Sequence, residues 1–193
     1  MRVIAGRFKG LALPAARTGT RPTTDRTKEA IFSSLDARGV LDGTRVLDLY
    51  AGTGALGIEA LSRGGRELVA VEMAGPVASA LTGTFSAMRR SRAWAPDMAA
   101  RVVRGKAETF VTGYRGGDAA GFDLIFIDPP YALSTEECDA LLAGIVSHGV
   151  ATDDALIVVE RSTRSAPVAA PDGWSVTQSR AYGETSVSYI ERA

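Results

Sequence analysis

One cysteine, Cys138, and one histidine, His148, stand in a chain of 193 residues. A lone cysteine excludes an internal disulfide and any multi-cysteine zinc site, and a lone histidine excludes a histidine-based metal cluster, so no metal is expected. His148 reads as a loop or helix-end residue. Long apolar runs are also missing: none approaches the length of a membrane span. The beginning Met1-Arg2-Val3-Ile4-Ala5-Gly6-Arg7 lacks a signal-peptide core. The protein is therefore expected in the cytoplasm, away from membranes. Net charge is the last absence. With 22 basic and 22 acidic side chains, nothing global announces a polyanionic partner.

What is present is enough apolar material, 46% of residues, for one compact domain with a full core and a small appendage. The charge is unevenly spread. Between Met1 and Lys28, Arg2, Arg7, Lys9, Arg17, Arg21, Arg26 and Lys28 face one acid, Asp25. A basic end on a neutral protein suggests a local anionic partner. The competing reading is a solvated arm without one.

Apolar strand-like runs alternate with helical stretches, the pattern of a parallel α/β sheet. Strands are expected at 45–50, 67–72, 101–104, 122–127 and 155–160, and helices at 55–63, 76–88, from 107, and 135–146. The tail alternates in hydrophobicity at 174–182 and 185–191 around Gly183, which predicts an antiparallel hairpin at the sheet edge. Ahead of the first strand, residues 2–13 with Gly6 and Gly10 suggest a small hairpin. A helix over 27–37 follows, with Asp25 as its N-cap. Segments 92–100, 112–121 and 163–173 read as loops.

The stretch Val46–Gly57, V-L-D-L-Y-A-G-T-G-A-L-G, places a complete G-x-G-x-x-G (Gly52, Gly54, Gly57) between a strand and a helix. Glycines there allow a tight turn and close approach of a ligand to the helix N-terminus. Glu72 lies 20 residues beyond Gly52, where an acid accepts hydrogen bonds from ribose hydroxyls. A dinucleotide site fits this much, and a ligand-free tight turn is the alternative. Asp48 changes the balance. An acid in the loop, four residues before Gly52, repels a diphosphate and suits a ligand with a positive end. S-adenosylmethionine carries an ammonium, a sulfonium and a ribose. Its amino-acid end is expected near Asp48 and its ribose at Glu72.

A second motif follows the fourth strand. Ile125–Leu133, I-F-I-D-P-P-Y-A-L, drives an apolar strand into an acid, two prolines and an aromatic ring. Proline cannot continue the ladder, so the strand ends at Asp128. Sheets of this kind bind ligands beyond the carboxyl ends of their strands, which brings Asp128 to the cofactor crevice. An exocyclic amine on a nucleobase is a poor nucleophile because its lone pair is delocalised into the ring. A carboxylate and the Pro129 carbonyl can accept its two N–H bonds, while Tyr131 stacks on the base. Catalysis of this type is positioning and electrostatics.

Together, D-L-Y-A-G-T-G and D-P-P-Y resemble the class I S-adenosylmethionine-dependent amino-methyltransferases. Within these, the chain is similar to the RsmD family of bacterial ribosomal RNA guanine-N2 methyltransferases. R-V-I-A-G-R-F-K-G-L-A-L-P, R-P-T-T-D-R-T-K-E-A-I-F-S-S-L, L-D-L-Y-A-G-T-G-A-L-G-I-E-A-L-S-R-G and the closing hairpin carry that likeness over nearly the whole chain.

The resemblance implies a Rossmann-like fold with a seven-stranded, mostly parallel sheet, an antiparallel C-terminal hairpin and a small N-terminal β-hairpin. It implies methylation of one guanine in small-subunit 16S ribosomal RNA, naked or within the subunit; a monomer is expected. By position, Asp128, Pro129, Pro130 and Tyr131 form the catalytic set. Asp48, Tyr50, Ala51, Gly52, Thr53, Gly54, Glu72, Met73 and Asp128 contact the cofactor, with Ala107 and Glu108 against the adenine and Thr24, Arg26 and Thr27 nearby. Residues 1–25 form an RNA-contacting arm and residues 26–193 the methyltransferase domain. Arg2, Arg7, Lys9, Arg17 and Arg21 would hold phosphates while Phe8 wedges or stacks, as a base flipped from folded RNA requires. The likeness gives 89–100 no role. The rivals are an adenine-N6 or protein-glutamine methyltransferase, and a catalytically silent nucleotide- or RNA-binding module.

Overall fold

The computed structural model describes residues 1–14, 25–116 and 121–193. After helix α1 (Asp25–Arg38), strands and helices alternate: β1 (Arg45–Leu49), α2 (Ala55–Ser62), β2 (Glu67–Glu72), α3 (Gly75–Arg89), β3 (Ala99–Arg104), α4 (Ala107–Gly113), β4 (Phe122–Ile127), α5 (Thr135–Ser147) and β5 (Ala151–Ser162). The hairpin β6 (Trp174–Tyr182) and β7 (Thr185–Arg192) closes the chain. The seven strands form one sheet in the order β3-β2-β1-β4-β5-β7-β6. The first five pair in parallel, while β7 is antiparallel to both β5 and β6. The expected sheet is borne out.

Both faces of the central strands are covered, which explains their unbroken apolar runs. Val46, Leu68, Ala70, Leu124 and Phe126 point to one face and pack with α1, α2 and α3. Leu47, Leu49, Val69, Val71, Ile125 and Ile127 point to the other and pack with α4 and α5. Two strands run longer than hydrophobicity suggested. Ala99 and Ala100 join β3 because they pair with Glu67 and Leu68 of β2. Ala151 pairs with Phe122 ahead of a register shift, which brings the polar start 151–154 into β5. No helix among the described residues is long and apolar enough to cross a membrane.

The amino-terminal segment differs from expectation in its packing. It closes as a short antiparallel hairpin through the Arg2–Ala12 bridge, with Val3 N–H donating to the Leu11 carbonyl and Leu13 N–H to the Met1 carbonyl, but it does not stand clear of the domain. Val3, Phe8 and Leu13 are buried in the core shared with α1, α2 and α3. Gly6, at φ 80°, lies so close to α2 that a Cβ would fall 1.9 Å from the Ser62 carbonyl oxygen. The backbone N–H groups of Ile4 and Ala5 donate to the two Glu59 carboxylate oxygens at 2.8 and 2.9 Å. Glu59 is fully buried, as is Lys28 of α1, 3.1 Å away. Burial pushes the Glu59 carboxyl pKa up, but the Ile4 N–H, Arg63 and Lys28 outweigh it and hold it below the ordinary value. Lys28 in turn donates to the Arg2 carbonyl at 2.7 Å. Residues 1–14 thus complete the α1–α2 face.

Candidate functional site

At the point where the strand order reverses, β1 continues into α2 on one side of a gap and β4 opens toward α5 on the other. Such a switch point leaves a crevice at the carboxyl ends of the strands. A cleft of about 1220 Å³ occupies it.

The first wall is the turn after β1. Tyr50 adopts φ 61°, a left-handed conformation that costs a residue with a side chain about 1 kcal/mol. Ala51 N–H donates to the Val71 carbonyl at 3.0 Å, and the Tyr50 hydroxyl donates to Glu108 at 2.5 Å; together they hold the turn. Burial, then the bond to Glu108, pushes the Tyr50 hydroxyl pKa well up. Gly54 caps α2 at φ 76° and turns inward, where a Cβ would meet Leu81 and Ile58 under 3 Å. At Gly52 a Cβ would find only the Tyr50 carbonyl oxygen, 3.9 Å away, so the backbone there is open to the cleft. Gly52 N–H donates to one Glu72 oxygen at 2.9 Å, and Ala74 N–H to the other at 2.7 Å. Glu72 therefore braces both loops and keeps a further lone pair on each oxygen.

Asp48 lies in β1 rather than in the loop. It is 2% exposed, and its Oδ2 accepts from Gly57 N–H at 2.9 Å. Burial, opposed by that bond and aided by Asp128 and Glu72, pushes its carboxyl to a pKa of about 7. Gly57 is required for this approach, since a Cβ would stand 2.8 Å from the same oxygen. The third glycine of the motif serves the packing of helix against strand.

The opposite wall is the exit of β4. Asp128 is half-buried, Pro129 buried and Pro130 exposed, and Tyr131 is 64% exposed at the mouth. Leu133 N–H donates to the Pro130 carbonyl at 2.9 Å and closes the turn. A capping box then fixes the start of α5: Glu137 N–H donates to Ser134 Oγ, and Ser134 N–H to Glu137 Oε2. Arg161 at the end of β5 donates to the Leu133 carbonyl at 2.8 Å and ties the turn to the next strand.

Asp48, Tyr50, Ala51, Gly52, Thr53, Glu72, Met73, Ala107, Glu108, Asp128, Pro129, Pro130, Tyr131 and Thr27 all line this one cleft. Arg26 is exposed and does not line it. Thr24, Arg17 and Arg21 lie outside the described residues. Phe8 is 6% exposed and packs on Trp94 at 6.2 Å between ring centroids, so it cannot wedge into RNA. Arg7 and Lys9 are exposed, but their loop is bonded to Ser62 at the far end of α2 from the cleft.

Sequence reasoning missed Met1, Glu160, Arg161 and Glu184, which also line the cleft. The polar exit E-R-S from the apolar β5 was the available signal for Glu160 and Arg161. Carboxylates dominate: Asp48, Glu72, Glu108, Asp128, Glu137, Glu160 and Glu184 stand against Lys106 and Arg161. Among the described residues no group of three or more His, Cys, Asp or Glu is arranged to hold a metal.

A family model described as conserved hypothetical protein 95 matches residues 1–191. The chain belongs to this family, the RsmD family. Ribosomal RNA small subunit methyltransferase D of Escherichia coli is 31% identical over 194 residues, spanning 100% of this chain and 90% of that protein. Among solved structures, a hypothetical protein of Thermus thermophilus superposes with a TM-score of 0.78 at 27% identity, over 99% of both chains. The magnesium protoporphyrin IX methyltransferase of Synechocystis, solved with bound SAM, shares the fold at a TM-score of 0.63 and 14% identity, over 87% of this chain and 79% of its own. The RsmD assignment thus covers the cleft and the amino-terminal segment alike.

Proposed function

We propose that the protein transfers a methyl group from S-adenosylmethionine to the exocyclic N2 amine of a guanine in 16S ribosomal RNA. The observation that carries this is the meeting of Asp128–Tyr131 with Glu72 and the open Gly52 backbone across one cleft. A nucleoside site and an amine site there face each other. The E. coli relative's name, a small-subunit ribosomal RNA methyltransferase, supports the RNA class, and the RsmD likeness supports guanine.

The residues fit the cofactor. An excess of carboxylates in a partly enclosed cleft favours a ligand with two positive centres. The free lone pairs of Glu72 can accept two ribose hydroxyls while its bonds to Gly52 and Ala74 keep it in place. Tyr131, Met73 and Met1 are three of the four exposed large apolar side chains among the described residues, and all three line this cleft. Exposed apolar surface gathered at one rim marks a binding site for flat or apolar groups. Bound S-adenosylmethionine supplies a methyl carbon made electrophilic by its sulfonium.

Asp128 and the Pro129 carbonyl each accept one N–H of the target amine and turn its nitrogen toward the cofactor side of the cleft. The rigid φ of proline fixes that carbonyl's direction. Methyl transfer would develop positive charge on the amine, and Asp128 is placed to stabilise it. The N–H proton that the amine gives up would pass to the Asp128 carboxylate that accepts it. Tyr131 covers the base, and Arg161 keeps the turn that carries it from drifting.

The test is transfer of labelled methyl to small-subunit RNA and particles, with the modified nucleoside identified by mass spectrometry. N2-methylguanosine is expected. Label in adenosine, or none in RNA, would refute the proposal.

A further inference from the structure

We infer that a second RNA contact lies at the opposite end of the molecule from the cleft, on a basic face built jointly by the loop 7–9 and the turn 89–92. The inference rests on the ribosomal RNA function proposed above and names where the RNA backbone lies on the protein.

The location follows from two helices. The cleft holds the first residues of α2, Ala55 and Leu56, while the Ser62 carbonyl at its other end accepts from Arg7 N–H at 2.8 Å. Eight helical residues separate the two by about 12 Å. Met73 and Ala74 line the cleft just before α3, and Arg89 ends that helix about 22 Å away at 1.5 Å per residue. Both basic segments therefore lie at the amino ends of the sheet strands.

They are also fastened together. Phe8 packs on Trp94 with ring centroids 6.2 Å apart. The Arg89 guanidinium lies 5.8 Å from the centre of the Trp94 ring and donates to the Ala100 carbonyl. Ser91 N–H donates to the Met88 carbonyl and Trp94 N–H to the Ser91 carbonyl. The irregular stretch after α3 is thus a built turn that presents Arg90 and Arg92 beside the loop of Arg7 and Lys9.

All four cations are exposed. Elsewhere among the described residues five arginines are ion-paired, Arg38 with Glu191, Arg45 with Glu67, Arg63 with Glu59, Arg164 with Glu184 and Arg192 with Asp153, whereas others such as Arg66 and Arg101 are not. Among the described residues, Arg7, Lys9, Arg90 and Arg92 have no such partner, and Asp97, the acid of the turn, bridges to none of them. Helix α3 carries no acidic residue, so nothing on it repels a polyanion. A protein partner would need an apolar anchor. Among the described residues the exposed large apolar side chains are Met1, Met73, Tyr131 and Val176, none of them in these segments. A phosphate backbone needs only the charge.

The test compares wild type with Arg90→Glu/Arg92→Glu and, separately, with Lys9→Glu, using naked small-subunit ribosomal RNA as the probe. For the double variant, KM for RNA should rise about tenfold or more at physiological salt, and the log–log salt slope of binding should fall by about one per lost contact. Its kcat and its affinity for S-adenosylmethionine should stay within about twofold, which also shows that it is folded. Lys9→Glu should show the same change at smaller size. RNA binding with unaltered slope in both variants overturns the inference, even with methyl transfer intact. So does an effect seen on assembled particles but not on naked RNA, which assigns the face to a protein. Loss of slope in a protein that transfers no methyl at all upholds the face and refutes the function proposed above.

Discussion

At the scale of single residues the cleft divides its work among three carboxylates. In the proposed reaction Asp128 faces the amine. Removing an interaction made chiefly in the transition state lowers kcat, so Asp128→Ala should turn over about 100-fold more slowly or worse while retaining most cofactor affinity. Single-turnover methyl transfer beside calorimetric titration of the cofactor checks both halves. Glu72 holds two loop N–H groups and, in the proposed cofactor pose, would take the ribose. Charge-assisted bonds of about 1.5–3 kcal/mol predict that Glu72→Ala binds S-adenosylmethionine at least about tenfold more weakly. An unchanged Kd would mean that the ribose lies elsewhere. Asp48 predicts a pH effect. Its carboxyl ordinarily titrates at 3.8 and in the fold at about 7. Between these values the folded protein keeps a proton that the unfolded chain has lost, so this group's contribution to stability falls as pH rises from 4 to 7. Asp48→Asn preserves an acceptor for Gly57 N–H and removes the titration. Its stability relative to wild type should improve steadily across that window in urea melts. A difference independent of pH would show that Asp48 is already ionised in the fold.

At the scale of elements the amino-terminal loop matters most. Its basic composition suggested a detachable arm, and its contacts make it part of the core. Deleting residues 1–13 removes the buried side chains of Val3, Phe8 and Leu13, each contributing about 1.5–3 kcal/mol. It also strips Glu59 of the Ile4 and Ala5 N–H bonds and Lys28 of the Arg2 carbonyl, and hydrogen bonds to charged groups contribute about 1.5–3 kcal/mol each. The total is comparable to the whole stability of a domain, about 5–15 kcal/mol. The truncated chain should therefore lack a cooperative unfolding transition by circular dichroism. A truncated protein that melts like the full chain would make this loop dispensable after all.

The elements around the cleft were legible because each is punctuated locally. Gly52 and Gly54 mark the turn, Pro129 ends β4, and Ser134 with Glu137 starts α5. The partners of Arg161 and Asp48 were not legible. Arg161 reaches a carbonyl 28 positions away, and Asp48 reaches a glycine one helical turn into α2. Neither bond leaves a pattern in the order of residues.

At the scale of the whole molecule, the cleft ties the two halves of the sheet across the β1–β4 switch. A ligand bound only by the folded state stabilises it by mass action. At a concentration of about 100 times its Kd, S-adenosylmethionine should add about 2.7 kcal/mol and raise Tm by several degrees. Scanning calorimetry with NAD as the control checks this, and an equal shift with NAD would restore the dinucleotide reading of the glycine motif.

The sequence by itself determined the alternation of strands and helices, the closing hairpin, the glycine turn and the exit of β4 into Asp128. These follow from side-chain period and from the conformational limits of glycine and proline, which act over a few residues. Tertiary structure alone decided that Phe8 is core rather than wedge, that Asp48 serves Gly57, and that the basic loop lies at the far end of α2. Each rests on contacts between segments remote in the chain, Ile4 to Glu59 being 55 positions apart. Which segments meet is set by the packing of whole faces and not by any local run of residues.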